Sequence, residues 1–326
     1  MDRLKKGRSK KSLWSLVFSI VVLSIIIFLL YCFYRSWEQR AWTKQASFVV
    51  AFALSTNQDS DQLLLVSFQP QEKGLAAFLL PENLLLETAG NKGDYRAGSL
   101  FRLDQLGKSN GRLLKKTLAD NLGTIVDGFG RITVEDNFTL NELSEFNLKT
   151  RLTSFLTSLL LRGQGETDLN RWDQLRLLKA VLFAKEGRVK VINLAQSQAI
   201  LTENLLDGSK VLRLDLARTD RLVREYFIDE AFGQENLEVA VFNATWQNGL
   251  AQKRARVLSN LGIRVVKVDQ YQGNEETTQG ECLLLATGDF VDSYTLFRLQ
   301  QAWECQVKDQ DTAWARAGLV LIIGGD

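Results

Sequence analysis

Residues 90–112, GNKGDYRAGSLFRLDQLGKSNGR, place four cations within one short stretch: Lys92, Arg96, Arg102 and Lys108, with Asp94 and Asp104 among them. Guanidinium and ammonium groups grip phosphate oxygens through charge-assisted hydrogen bonds, and the intervening glycines let backbone amides approach an anion. The residue types therefore suit a phosphate site. A solvated loop whose charges keep it in water has the same composition, so these four are candidates and no more.

Other chemistry is limited by what the chain lacks. It contains no histidine, which excludes a Ser-His-Asp or Cys-His pair, a histidine metal site and an imidazole proton shuttle. Any catalysis must rest on carboxylates, lysines, arginines or a metal held by oxygen, and no catalytic residue or metal ligand set stands out. Of three cysteines, Cys282 and Cys305 each open a β-type run. If those strands lie parallel and adjacent, the thiols share a sheet edge and can form a disulfide; two unpaired buried cysteines fit the sequence equally well. Gly128-Phe129-Gly130 and Gly163-Gln164-Gly165 lack the strand, helix and acidic partner of a dinucleotide fingerprint and read as turns. Glu135-Asp136 reads as surface solvation.

The elements that would carry these groups begin with a membrane segment. Arg3, Lys5, Lys6, Arg8, Lys10 and Lys11 precede an uncharged run from Ser12 to Tyr34, which as a helix spans about 30 Å, a bilayer core. Trp14 at one end and Tyr31, Tyr34 and Trp37 at the other suit the membrane interfaces. The expectation is a cytoplasmic tail at 1–12, an uncleaved single-pass helix at 13–34 and an extracytoplasmic remainder. Bulky Tyr31 before Cys32 argues against a lipid-modified cysteine. The tail carries +5 of the net +2, leaving −3 outside, so no broad basic field for nucleic acid is expected.

About 190 residues then offer a domain at 46–235. Phe48–Leu54, Leu63–Phe68 and Leu75–Leu80 read as strands, the last two joined by a turn through Pro70, Lys73 and Gly74. Leu114, Leu118 and Leu122 mark a helix that Gly123 can end. Ile125-Val126 and Ile132-Thr133-Val134 read as further strand, and Thr139 with Glu142 as a capping box. Leu152, Phe155, Leu156, Leu159 and Leu160 form one amphipathic face; Trp172, Leu175, Leu178 and Leu182 form another. Val189–Leu194 and Lys210–Leu214 read as a strand pair, followed by a helix from Thr219 to Phe227 and a junction at Gly233-Gln234-Glu235-Asn236.

The last 91 residues are the clearest. Val239 to Phe242 is a short buried strand, and Asn248 can cap a helix with Ala251, Ala255, Leu258 and Leu261 on its apolar face. Gly262 stops that helix, and Ile263–Val268 returns as a strand. A helix from Asp292 to Trp303 follows. The fold class expected is α/β (α+β): a middle α/β domain with a mixed sheet and a small C-terminal βαββαββ domain at 236–326.

The NATWQNGLA loop and the closing Gly318–Asp326 run, GLVLIIGGD, resemble the C-terminal domain attached to LytR-CpsA-Psr cell-envelope proteins. More weakly, LLLVSFQPQEKGLAAFLLPENLLL and TLADNLGTIVDGFGRITV resemble that family's catalytic domain. The resemblance implies arginines and aspartates that hold a polyprenyl pyrophosphate and magnesium while a glycopolymer passes to peptidoglycan. After the family proline, Pro81 here, Glu82 stands in the place of the arginine and Asn83 in that of the aspartate, so a like charge faces the phosphate. The expectation is a non-catalytic envelope protein without cofactor, tethered to the lipid bilayer and binding a cell-wall polymer or an envelope protein, not nucleic acid. The alternative is an active glycopolymer phosphotransferase, which would need Mg2+.

Overall fold

The computed structural model describes residues 18–24, 27, 47–55, 61–69, 74–90, 93–133, 143–162, 165–204, 208, 210–273 and 282–324. The chain divides into two compact units, Met1–Ala41 and Trp42–Asp326. In the first unit residues 18–24 and 27 are helical and exposed. The rest of the expected span, the basic tail, Cys32 and the flanking aromatics lie outside the described residues. Among the described residues no helix is long and apolar enough to cross a membrane.

The second unit opens on β1 (Phe48–Ser55), β2 (Asp61–Gln69), β3 (Gly74–Leu80), β4 (Leu85–Glu87) and β5 (Asp94–Arg96), followed by α1 (Ala97–Leu106), α2 (Arg112–Leu122) and β6 (Gly128–Thr133). Next come α3 (Glu145–Arg162), α4 (Arg171–Phe183), β7 (Val189–Asn193), β8 (Ile200–Asn204), β9 (Lys210–Leu214), α5 (Leu216–Tyr226) and α6 (Glu230–Glu235). A mixed five-stranded sheet, β6-β1-β2-β3-β7, organises this part. Strand β1 runs parallel to β6 and antiparallel to β2, and β3 runs parallel to β7. All eight residues of β1, FVVAFALS, are buried, as a strand covered on both faces should be. Val49, Ala51 and Ala53 pack under Leu100 and Phe101 of α1 and Leu114 and Leu118 of α2. On the other face Phe52 meets Phe155 of α3 edge-on at 5.6 Å.

The C-terminal part contains β10 (Glu238–Asn243), α7 (Leu250–Asn260), β11 (Arg264–Gln270), β12 (Cys282–Ala286), α8 (Tyr294–Trp303), β13 (Gln306–Asp309) and β14 (Leu319–Ile323). Its sheet order is β11-β10-β14-β12-β13. Strands β11 and β14 flank β10 in parallel, β12 is antiparallel to β14, and β13 is parallel to β12. Gly262 takes φ +95° just past α7, a conformation costly for any residue with a Cβ.

Several local expectations need correction. Asn248 does not cap α7: Gly249 holds the cap position at φ 86° without a side-chain bond. Gly128-Phe129-Gly130 is not a turn but the start of β6. A Cβ at 128 would lie 2.4 Å from Leu169 Cδ2 and one at 130 would lie 3.2 Å from Phe52, so these glycines admit close neighbours within a strand. Ile125 and Val126 are buried but lie ahead of that strand.

Strand β7 pairs with β3, and β9 pairs with β8 rather than with β7, because local pairing across a short turn is available to β9 while β7 completes the edge of the main sheet. The junction at 233–236 is structured. It is the end of α6, with Asn236 as its left-handed cap and Phe232 in the core. On α4 the buried side is Asp173, Gln174, Leu177 and Val181, while Leu175 and Leu182 point outward. The capping box at Thr139 and Glu142, the Pro70 to Lys73 turn, Gly163-Gln164 and Glu135-Asp136 lie outside the described residues.

Candidate functional site

The cations singled out by the sequence do not converge. Arg96 is the N-cap residue of α1 and exposed, Arg102 lies in its second turn and is half-buried, and Lys108 stands beyond its C-cap, exposed, at φ 50°. Six residues of helix put about 9 Å of rise and a third of a turn between Arg96 and Arg102, and Lys108 is farther along the same axis. Lys92 lies outside the described residues. The two carboxylates are occupied elsewhere: Asp94 pairs with Arg213 at 2.8 Å. Asp104 is buried and accepts the backbone N–H groups of Gly111 (2.6 Å) and Leu114 (3.1 Å). Asp104 thus pins the turn that starts α2, a capping role. With Asp94 and Glu203 both hydrogen-bonded to it, Arg213 is held above its ordinary pKa. After Pro81, Glu82 accepts a hydrogen bond from Gln62 Nε2 at 2.8 Å.

A better-formed site lies where the C-terminal sheet meets α2. The strand β10 ends on Asn243, whose buried side chain organises the NATWQNG loop. Its Oδ1 accepts from the Thr245 amide (3.0 Å) and hydroxyl (2.8 Å), and its Nδ2 donates to the Gln247 carbonyl (2.7 Å). Gln270 Nε2 fixes the Thr245 carbonyl from β11. Asparagine suits this position because one side chain both accepts and donates within a turn. From this loop Trp246 projects into solvent, 98% exposed.

Beneath the loop, at the carboxyl ends of the parallel strands β10 and β14, is a cavity of about 110 Å3. Thr245, Gln247, Leu250 and Arg254 line it on one side, Lys116 and Asp120 of α2 on another, and Cys282, Trp303 and Ile323 close it. Carboxyl ends of parallel strands flanked by a helix N-terminus are where open α/β sheets receive ligands. Arg254 lies 5.1 Å above the Trp303 ring and pairs with Asp120 at 2.7 Å. The wall carrying Cys282 is stapled by a Cys282–Cys305 disulfide, Cα atoms 4.7 Å apart. The staple joins the start of β12 to the residue before β13, neighbours in register.

Both walls of the cavity are held rigidly together. Arg298 on α8, only 2% exposed, makes a bidentate pair with Asp127 (2.7 and 3.2 Å), and Asp127 also accepts the Val49 amide of β1. Burial by itself would lower the Arg298 pKa, but the charge of Asp127 outweighs it and the guanidinium is held ionised. Arg256 reaches the carbonyls of Asp120 and Asn121 at the end of α2 and pairs with Asp220 at 2.7 Å. Asn260 donates to the Gly123 carbonyl and to Asp220. From α6, Glu235 accepts the Tyr294 and Thr295 amides that begin α8. Nearby, burial raises the Asp229 pKa, opposed by the hydroxyl of Tyr294 and the charge of Arg298.

The sequence reading missed this interlock, although a signal exists: Arg298 is a lone charge among Thr295, Leu296, Leu299 and Trp303, which are buried, and a charge inside an apolar arc demands a partner. The cavity offers a paired cation in Arg254, the Lys116 amine, the Thr245 hydroxyl, the Gln247 amide and an aromatic wall in Trp303. Among the described residues no group of three or more His, Cys, Asp or Glu could hold a metal.

Residues 236–326 match the family described as LytR cell envelope-related transcriptional attenuator. They are a LytR_C domain. No curated protein is significantly similar to the chain. Among solved structures the chain is similar to a transcriptional regulator, EF0465, from Enterococcus faecalis, with 12% identity over 68% of this chain and 89% of that one and a TM-score of 0.42. It is also similar to Bacillus subtilis TagV, with 9% identity over 68% and 99% and a TM-score of 0.40. For TagT bound to LIIa-WTA the identity is 14% over 56% and 90%, with a TM-score of 0.40. No residue role is carried over from structures this distant. The cavity therefore sits between the LytR_C domain and the helix α2 on which that domain is docked.

Proposed function

We propose that the protein is a membrane-anchored, extracytoplasmic cell-envelope protein that binds a cell-wall polymer or an envelope protein and catalyses nothing itself. The observation that carries this reading is the contrast between its two groups of cations. Those suited to a lipid diphosphate are spread along α1, whereas those of the LytR_C domain build a braced cavity beside an exposed tryptophan. A phosphoryl-transfer site must fix several cations on one group of oxygens, since positioning and charge stabilisation do nearly all of its work. A recognition site needs only a shaped polar recess with an aromatic surface.

In this reading the binding surface lies outside the membrane and the basic N-terminus in the cytoplasm, which the cell-envelope association of the LytR_C family and the apolar run at Ser12–Tyr34 support. The test uses the full chain in detergent, incubated with insoluble peptidoglycan that carries or lacks its attached glycopolymer, and in parallel with polyprenyl-diphosphate-linked glycan and Mg2+. Co-sedimentation that falls with Trp246→Ala or Arg254→Ala, without turnover of the lipid-linked glycan, is the expected result. Turnover abolished by Arg96→Ala or Arg102→Ala would overturn the reading in favour of a phosphotransferase.

A further inference from the structure

The helix α4 carries apolar residues on its outward side as well as its inward one. Its inward face is Asp173, Gln174, Leu177 and Val181, and its outward face includes Leu175, Leu182 and Phe183, 47%, 51% and 66% exposed, with Trp172 half-buried beside them. Arg171, Lys179 and, just past the helix end, Lys185 are exposed around that apolar strip, with one exposed carboxylate, Glu186, following Lys185. The outward face holds no acidic residue, because the one carboxylate of the helix, Asp173, is buried.

Tryptophan, leucine and phenylalanine mixed with lysine and arginine is the composition of a helix that lies in a bilayer interface, its apolar side chains among the acyl chains and its cations at anionic headgroups. The outward polar groups of α4, Arg171 and Lys179, are both cations, which match anionic headgroups, whereas a protein partner would call for acids among the anchors as well, and the helix itself presents none outward. The position of α4 in the fold agrees. The loop before it packs Leu169 against Gly128 and binds the Phe129 amide through Asp168 Oδ1. Gly128 opens β6 opposite Val50, so α4 begins at the end of the sheet where the chain enters β1. Between Tyr34 and Ser47 the sequence leaves 12 residues, a reach of at most about 45 Å.

We propose that the outward face of α4 docks on the surface of an anionic bilayer, giving the domain a second membrane contact. The proposal rests on the membrane-anchored reading above for the nearness of that surface, and on the charge and composition of α4 for the contact itself.

The test reconstitutes the full chain, with Cys32→Ser and a spin label on Leu182→Cys, into bilayers with and without anionic lipid. A label on Gln310→Cys, exposed in the LytR_C domain, serves as reference. The expected result is a label at 182 that exchanges collisions with aqueous nickel reagent for collisions with lipid-dissolved oxygen, in anionic bilayers only, while 310 stays aqueous. Each of Arg171→Ala, Lys179→Ala and Lys185→Ala should lower the docked-to-undocked ratio about fivefold.

A chain that floats with the bilayer but leaves position 182 as water-exposed as 310 overturns the docking and spares the anchor. Flotation with anionic vesicles alone, lost on Lys179→Ala, supports the docking and overturns the anchor. Concentration-dependent shielding of position 182 in neutral detergent, with no lipid dependence, would show self-association and overturn the docking too.

Discussion

Two groups of cations in this protein illustrate how little residue type says without burial. Arg96, Arg102 and Lys108 stand in a glycine-rich stretch that looks made for an anion, yet follow one another along a single helix. Arg254, Arg256 and Arg298 come from ordinary helical sequence, and each is paired with a carboxylate on a segment ahead of the LytR_C residues, Asp120, Asp220 and Asp127. A charge in water is cheap to place and cheap to lose. A charge out of water survives only with its partner, so each buried pair fixes the relative position of the elements that carry it. The fixed positions are those of α7 and α8 against α2 and β1, which set the shape of the cavity.

The sharpest way to break this contrast is Arg298→Ala. It strands Asp127 without its counter-charge under β1, and should cost about 3–5 kcal/mol as a lowered urea midpoint of the full chain. Arg298→Met combined with Asp127→Asn removes both charges, keeps an acceptor for the Val49 amide and should recover much of the loss, since a buried pair can often be replaced by neutral groups without penalty. Equal losses in the single and double variants would mean that the pair is not what holds the interface.

Next in size is the disulfide. It closes a loop with a sequence separation of 23 residues, and the chain-entropy estimate for such a loop is about 3 kcal/mol. Reduction, or Cys282→Ala with Cys305→Ala, should lower the stability of the LytR_C sheet by that order in a reductant-dependent melt. Because Cys282 also lines the cavity, co-sedimentation with peptidoglycan should fall as well. Full binding after reduction would show that the cavity wall does not need the staple.

Much of this architecture was legible in the sequence because local signals and burial agreed. The three central strands of the main sheet, β1, β2 and β3, carry long apolar runs, Gly123 and Gly262 end α2 and α7 in left-handed conformations, and the βαββαββ order of the LytR_C domain follows from its periodicities. What was not legible depended on partners distant in sequence. The pairing of β7 with β3 joins residues 75–79 to 189–193, and nothing within β7 names its neighbour. The face of α4 was misread because its apolar residues were assumed to point inward, whereas Asp173 and Gln174 take the inner side. Gln174 donates there to the Leu169 carbonyl, and a hydrogen-bonded amide can stand in a core. The candidate phosphate residues failed as a cluster for a simpler reason: closeness in sequence was taken for closeness in space, although a helix separates them.

A subtler effect separates the two groups by pH. Burial raises the folded-state pKa of Asp229 above its ordinary 3.8, with Tyr294 and Arg298 opposing. A carboxyl with a raised folded pKa favours the fold while protonated, and that contribution fades as pH climbs from about the unfolded value through the folded one. Asp229→Asn does not titrate and keeps an acceptor for the Ala231 amide and a partner for the Tyr294 hydroxyl. The stability of Asp229→Asn relative to the native chain should therefore rise with pH across that window, read as diverging midpoints in parallel urea titrations. Parallel curves would place the carboxyl in contact with water.

The smallest effect is the most diagnostic. Arg96→Ala and Lys108→Ala remove exposed cations, and substitutions of that kind stay within about 0.5 kcal/mol. Neither should change the binding of peptidoglycan, because neither residue reaches the LytR_C cavity. Salt gives a second reading: attraction between exposed charges is screened beyond about 8 Å at physiological ionic strength, whereas a pair as buried as Arg298–Asp127 is screened far less. The loss caused by Arg298→Ala should thus persist across a salt titration, whereas any small effect of Arg96→Ala or Lys108→Ala should fade as salt rises. If instead Arg96→Ala abolished binding at unchanged stability, the residues along α1 would have to meet on a ligand in a way the free protein does not show, and the exposed group would become the working one.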